Sequence, residues 1–361
     1  MMPRIRLGLV TLVAMALVAG SVSGADLSDS LKKGTPDLKS AGPLAFGPEG
    51  ILFVGDPQGA SIFAIATGDQ KNGAGAGPIK VEAIDGKIAS LLGTSEKEIL
   101  INDLAVNPAS GTAYLSLSRG KGPDAIHVLM RVNREGKIDE FSLQDVKFSK
   151  AVLPNPATGK QRSEAITKIA YVDGRVFVAG LSNEDFASQL RAVPFPFTET
   201  AKGTGVEIFH GSHGQIETKS PVRTFAPYKI NGEEHLLAAY TCTPLVKIPV
   251  AELKPGAQVK GTTVAELGNR NRPLDMIIYQ KDGKDYVLMA NSSRGLMKIS
   301  LVDVDKVEGI TKHVKDKAGL PYETIKDLKG VMQLDRLDKE NALVLLRDES
   351  GTMRLDTVPL P

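Results

Sequence analysis

The chain has 361 residues, with 44 lysines and arginines against 42 aspartates and glutamates, for a formal charge of +2. Both signs are mixed along its length, with no dense basic stripe and no acidic tail, which argues against a nucleic-acid partner. Its one cysteine, Cys242, excludes an intramolecular disulfide and any site built from paired thiolates, so stability must come from packing and hydrogen bonding.

The first segment reads "MMPRIRLGLVTLVAMALVAGSVSGAD". Arg4 and Arg6 precede an apolar stretch from Leu7 to Gly20, and a small-residue run follows, which is the layout of a signal peptide cleaved after Ala25. No later segment approaches the roughly 20 apolar residues a membrane span requires. The expected product is an exported protein, periplasmic or secreted, with no membrane span after cleavage. The domain plan is a signal peptide over 1–25, an N-terminal segment over 26–42, and one domain over 43–361.

From Pro43 onward one pattern recurs. Units begin near Pro43, Asn102, Thr167, Thr224, Leu274 and Lys329. Each holds a short apolar run, a tight turn, a second apolar run, a polar loop and an alternating third run. "LDMIIYQKDGKDYVLMANSSRGLMKISL" is the clearest. The turns Pro48-Glu49-Gly50, Asp173-Gly174, Asn231-Gly232 and Asp282-Gly283 supply the residue types that two-strand hairpins need. Runs of four to six residues rich in Val, Ile and Leu are of strand length. A strand-built repeat of about 50–65 residues predicts an all-β fold, a β-propeller. Six blades are expected; a seventh would need a degenerate unit within 79–100, and two stacked β-sandwiches are the competing architecture. More polar runs, "IKVEAI" (79–84), "KIDEFSL" (137–143) and "TTVAEL" (262–267), read as outer fourth strands. The last unit stops after its third strand, so the ring is expected to be closed by N- and C-terminal strands, with the segment before Pro43 completing the last blade.

In such a blade the entry to the inner strand and the loop after the second strand share one face. This upper face gathers Asn102, Asp103, Lys168, Cys242, Asp275, Asn291 and Arg294 as candidate ligand-binding residues around the channel mouth. The oxygen donors Asn102, Asp103, Asp275 and Asn291 would suit Ca²⁺ or another hard divalent cation, although Asp and Asn before a strand also cap turns. No histidine falls on that rim, and "HGSH" (210–213) reads as a solvated turn. Cys242 reads as a strand-end residue, either a small buried hydrophobe or a reactive thiol. The stretch 181–205 is longer than the other loops; Ser182 begins a helix signal and Phe195 and Phe197 offer aromatic surface, so a partial lid over the upper face is expected.

At "INDLAVNPASGTAYLSLS" (101–118) and "RPLDMIIYQKDGKDYVLMANS" (272–292) the chain resembles the six-bladed propellers of the gluconolactonase and senescence-marker superfamily, and more loosely NHL-repeat proteins. The resemblance implies a central divalent cation that activates a lactone or ester, with Asn102 or Asp103 and Asp275 at ligand positions. The family's glutamate before the first inner strand has no counterpart, since Ala41-Gly42-Pro43 stands there, and Thr167-Lys168 replaces a ligating asparagine. The absence of tryptophan excludes propellers built around a recurring Trp. The reading is therefore a propeller that binds a small-molecule ligand or protein partner without catalysis, the alternative being a metal-dependent hydrolase of lactones or esters.

Overall fold

The computed structural model describes residues 27–70, 77–242 and 244–361. The expected signal peptide over 1–25 lies outside the described residues. Among them, no helix is long and apolar enough to cross a membrane.

Six sheets form among the described residues, antiparallel throughout except where Gln258–Lys260 pairs in parallel with Thr204–His210. Their inner strands, in chain order, are Leu44–Phe46, Ile99–Val106, Lys168–Val172, Val222–Ile230, Pro273–Lys281 and Val331–Arg336; the blades are numbered accordingly. Asp173-Gly174, Asn231-Gly232 and Asp282-Gly283 all adopt positive φ. That pairing matches the twist of the flanking strands and closes each two-residue hairpin.

Six apolar clusters hold the sheets together, each lying between two blades. They join the first blade to the second, the second to the sixth, the sixth to the fifth, the fifth to the fourth, the fourth to the third, and the third back to the first. The ring is closed. Its spatial order nevertheless departs from the chain order, because the first blade sits between the second and the third.

Two outer strands explain this order. Val146–Val152, which follows the second blade, pairs with Ser61–Ala66 and supplies the outer strand of the first blade. Lys80–Val81 pairs with Leu355 and Asp356 and supplies that of the sixth. Closure therefore differs from the expected form: the segment before Pro43 contributes Lys32–Gly34 to the edge of the first blade, not to the last. "IKVEAI" likewise completes the sixth blade instead of its own unit. Directly after it, Ile84–Leu91 forms a helix that packs Ile84 and Ile88 between the second and sixth blades, so residues 79–100 make no seventh blade.

The stretch 181–205 also differs from the expected lid. Ser188–Pro194 is a regular third strand, in register with Arg175–Leu181 along its whole length. Ser182 opens a tight turn, its N–H donating to Ala187 O, and no helix forms. Phe195 and Phe197 turn inward against Phe53, at centroid distances of 5.0 and 6.1 Å. Burial in the core between the first and third blades wins over exposure, since each aromatic contact adds about 0.5–1.5 kcal/mol beyond the area it buries.

Candidate functional site at the channel mouth

The inner strands carry polar residues to the ring axis. Asp103 and Asp275 each follow a bulge in an otherwise regular inner strand, opposite Ser116 and Ala290. Lys168 opens the inner strand of the third blade. Its Nζ lies 2.7 Å from Asp275 Oδ1 and 3.5 Å from Asp103 Oδ1. Each carboxylate also accepts a backbone N–H from a neighbouring blade: Asp103 Oδ2 from Leu44 at 2.8 Å, and Asp275 Oδ2 from Leu334 at 3.2 Å. Asp335 belongs to the same assembly, accepting from Val106 and Arg336 at 2.7 Å each.

Two buried carboxylates thus hold one ammonium, and Asp335, half-buried, adds a third acid to the layer. Burial pushes Asp103 up to about 6, with Lys168 opposing the shift and Asp275 adding to it. Asp335 is pushed to about 6 for the same reason, against the pull of its two backbone donors. For Lys168, burial disfavours the charge, but Asp103 and Asp275 outweigh it and hold the ammonium above the usual lysine range. The charge placed between Asp103 and Asp275 is therefore that of Lys168.

The expected four-oxygen cation site is only half assembled. Asp103 and Asp275 both converge on the Lys168 ammonium. Asn102 instead donates to Ala41 O at 2.7 Å, tying the second blade to the first. Asn291 donates to Asn271 Oδ1 at 2.9 Å, and its own Oδ1 accepts from Ser293 and Arg294, so its amide caps a turn. Arg294 reaches back to Asn269 O and Asp316. Cys242, half-buried, adopts positive φ and donates its backbone N–H to Asn271 O.

Above the charged layer opens a cleft of about 1270 Å³, reached from the entries to the inner strands. Five basic side chains line it against two glutamates. Arg223 Nη1 donates to Glu164 Oε1 at 2.6 Å, and its Nε to Thr241 Oγ1 at 3.0 Å. Arg272 lies close to both: burial and the Arg223 charge push its pKa down, and Glu164 opposes them. Among the described residues its guanidinium has no hydrogen-bond partner. Below the layer, apolar side chains from all six inner strands line a second cavity of about 350 Å³. Lys168 and Asp335 border it, so the charged layer separates the two.

Sequence reading missed Asp335, Arg223 and Arg272. "QLDRL" places an aspartate directly after a leucine in an inner strand, as "LDMII" does, and could have revealed Asp335; the arginines stand at inner-strand entries, as Asn102 and Asp103 suggested for that face. It also misplaced His210, which is 2% exposed and lies against Glu217, where a solvated turn was expected.

The site and ring define a six-bladed β-propeller. No family model matches the chain, and no curated protein matches it. Among solved structures, it is similar to a putative oxidoreductase (glucose dehydrogenase) from Thermus thermophilus, at 14% identity over 91% of this chain and 99% of that one, with a TM-score of 0.35. It is also similar to the PQQ-bound form of aldose sugar dehydrogenase from Streptomyces coelicolor, at 12% identity over 91% and 96% of the two chains and a TM-score of 0.30. Kuenenia stuttgartiensis hydrazine synthase gives 12% identity over 90% and 97%, with a TM-score of 0.44. Similarity at this level says nothing about activity.

Proposed function

We propose that this is an exported, non-catalytic propeller that binds a small anionic molecule, bearing a carboxylate or phosphate, at its upper channel mouth. The observation that carries the reading is Arg272: a guanidinium in a large cleft, without a partner among the described residues and beside a second arginine. Arg223 shares its charge with Glu164, whereas Arg272 keeps its donors for a ligand. Guanidinium groups match carboxylate and phosphate oxygens two at a time, which gives orientation as well as affinity.

The alternative, a divalent-metal hydrolase of lactones or esters, draws support from the convergence of Asp103 and Asp275. It has less because the Lys168 ammonium stands between them and backbone donors take up further carboxylate oxygens. Thermal-shift screening of dicarboxylates, sugar acids and phosphate esters tests the proposal. A stabilising hit that disappears in Arg272→Gln supports it. No shift across the panel, or a shift that survives Arg272→Gln, overturns it.

A further inference from the structure

Away from the axis, at the outer edge where the third blade meets the fourth, three of the chain's five histidines gather. His210 ends the strand Thr204–His210, His213 lies in the following turn, and Glu217 ends the return strand Gln215–Glu217. His313 packs its side chain against Gly214 of the same turn. His213 Nδ1 is 2.6 Å from Glu217 Oε1, and His210 Nδ1 is 3.1 Å from the same oxygen. One ligand atom from each of the three lies within 4.8 Å of the others.

Two further observations mark the cluster as more than a hydrogen-bonded turn. His210 is almost fully buried, yet neither of its ring nitrogens makes a well-aligned hydrogen bond. Glu266 of the fourth blade, 1% exposed, accepts the Gly211 N–H on Oε1 and leaves Oε2 without a partner. Leaving buried polar atoms unpaired costs about 1–3 kcal/mol each. Among the described residues, neither Glu217 nor Glu266 meets a lysine or arginine at this place. The cluster therefore gathers two carboxyl groups and two imidazoles with no lysine or arginine paired to them among the described residues.

We infer that His210, His213 and Glu217 form a binding site for a borderline divalent cation of the Zn²⁺ type, pinning together the two arms of the outer hairpin of the third blade. Two imidazoles and a carboxylate are the donor types such ions take. Bonds of about 2.0–2.1 Å in tetrahedral geometry place neighbouring ligand atoms about 3.3 Å apart, so the observed spacings need only a small outward shift to admit the ion. Ser220 Oγ donates to Glu217 Oε2 and holds the carboxylate in place, the outer support metal ligands commonly have. Glu266 brings a second carboxyl group to the cluster from the fourth blade, held there by the Gly211 N–H.

The test is equilibrium dialysis of the full chain, purified without a polyhistidine tag, against Zn²⁺, with bound metal measured by mass spectrometry. One equivalent is expected, with a rise in melting temperature that EDTA reverses. His213 is 47% exposed, so His213→Asn should fold normally and lower Zn²⁺ affinity at least tenfold, as should Glu217→Gln. Cys242→Ser, at a different site, should bind as the parent does. Failure of the parent to take up Zn²⁺, affinity unchanged in His213→Asn, or loss of the metal in Cys242→Ser would each overturn the assignment.

Discussion

Lys168 Nζ and Asp275 Oδ1 meet at 2.7 Å on the ring axis and so couple the third blade to the fifth, two blades that share neither a sheet nor a core cluster. The apolar clusters join only neighbours around the ring. This contact bridges past the fourth blade, and with Asp103 it lies between the residues that line the upper cleft and those that line the apolar cavity beneath.

Lys168→Met should destabilise the fold by about 3–5 kcal/mol, because it leaves two buried carboxylates without their cation. The double variant Lys168→Met/Asp275→Asn should recover part of that loss, since it also removes one of the stranded charges. Urea unfolding midpoints measure both. A single variant as stable as the parent would show that the pair contributes nothing.

The pH dependence should run opposite to ordinary acid denaturation over a limited window. Asp103 and Asp335 have folded-state values near 6 against 3.8 for the ordinary group. Between those values the folded chain binds more protons than the unfolded one, so their contribution favours the fold at low pH and is lost as pH rises through about 6. Melting temperature should therefore rise between pH 7.5 and pH 5. Asp335→Asn should flatten that slope, and a melting curve that rises with pH over this range would contradict the reading.

Arg272→Gln should leave stability within about 0.5 kcal/mol of the parent, as exposed positions do, while weakening anion binding tenfold or more. Calorimetric titration at two salt concentrations separates the effects. Binding should also weaken with added salt, since the cleft carries an excess of positive charge.

Val81 is 2% exposed and pairs with Leu355 at the outer edge of the sixth blade. Val81→Asp would bury an unpaired carboxylate between the sixth and second blades, at a cost of several kcal/mol. Hydrogen exchange should speed up first in Met353–Pro359, the strand that Lys80–Val81 covers. Uniform loss of protection across all six blades would show that this edge is not a separate latch.

The parts of the fold legible in the sequence are those fixed by local chemistry. Asp173-Gly174 and Asp282-Gly283 announce their hairpins because few residue pairs tolerate that backbone. Asp103 and Asp275 could be placed together because each precedes an apolar inner run. The ring order was not legible: Lys80–Val81 is two residues long, and Val146–Val152 carries a half-polar pattern that suits any outer edge. Lys168 could be assigned to the upper face, but its pairing depends on which strands stand opposite across the axis. His210 was misread because burial of the turn comes from Glu266 and Val314, more than fifty residues away.

The placement of the first blade bears on how the chain reaches its native state. Residues 44–66 emerge from the ribosome before any other blade, yet their seat is bounded by the second blade, the third, and the strand Val146–Val152. The unit made earliest must wait for about a hundred further residues before its flanks are covered. Such distant pairings slow folding, because the entropy of closing the loop is lost before contacts compensate. Its exposed strands would in the meantime be a target for chaperones, and its arrival works like a keystone set between two finished voussoirs.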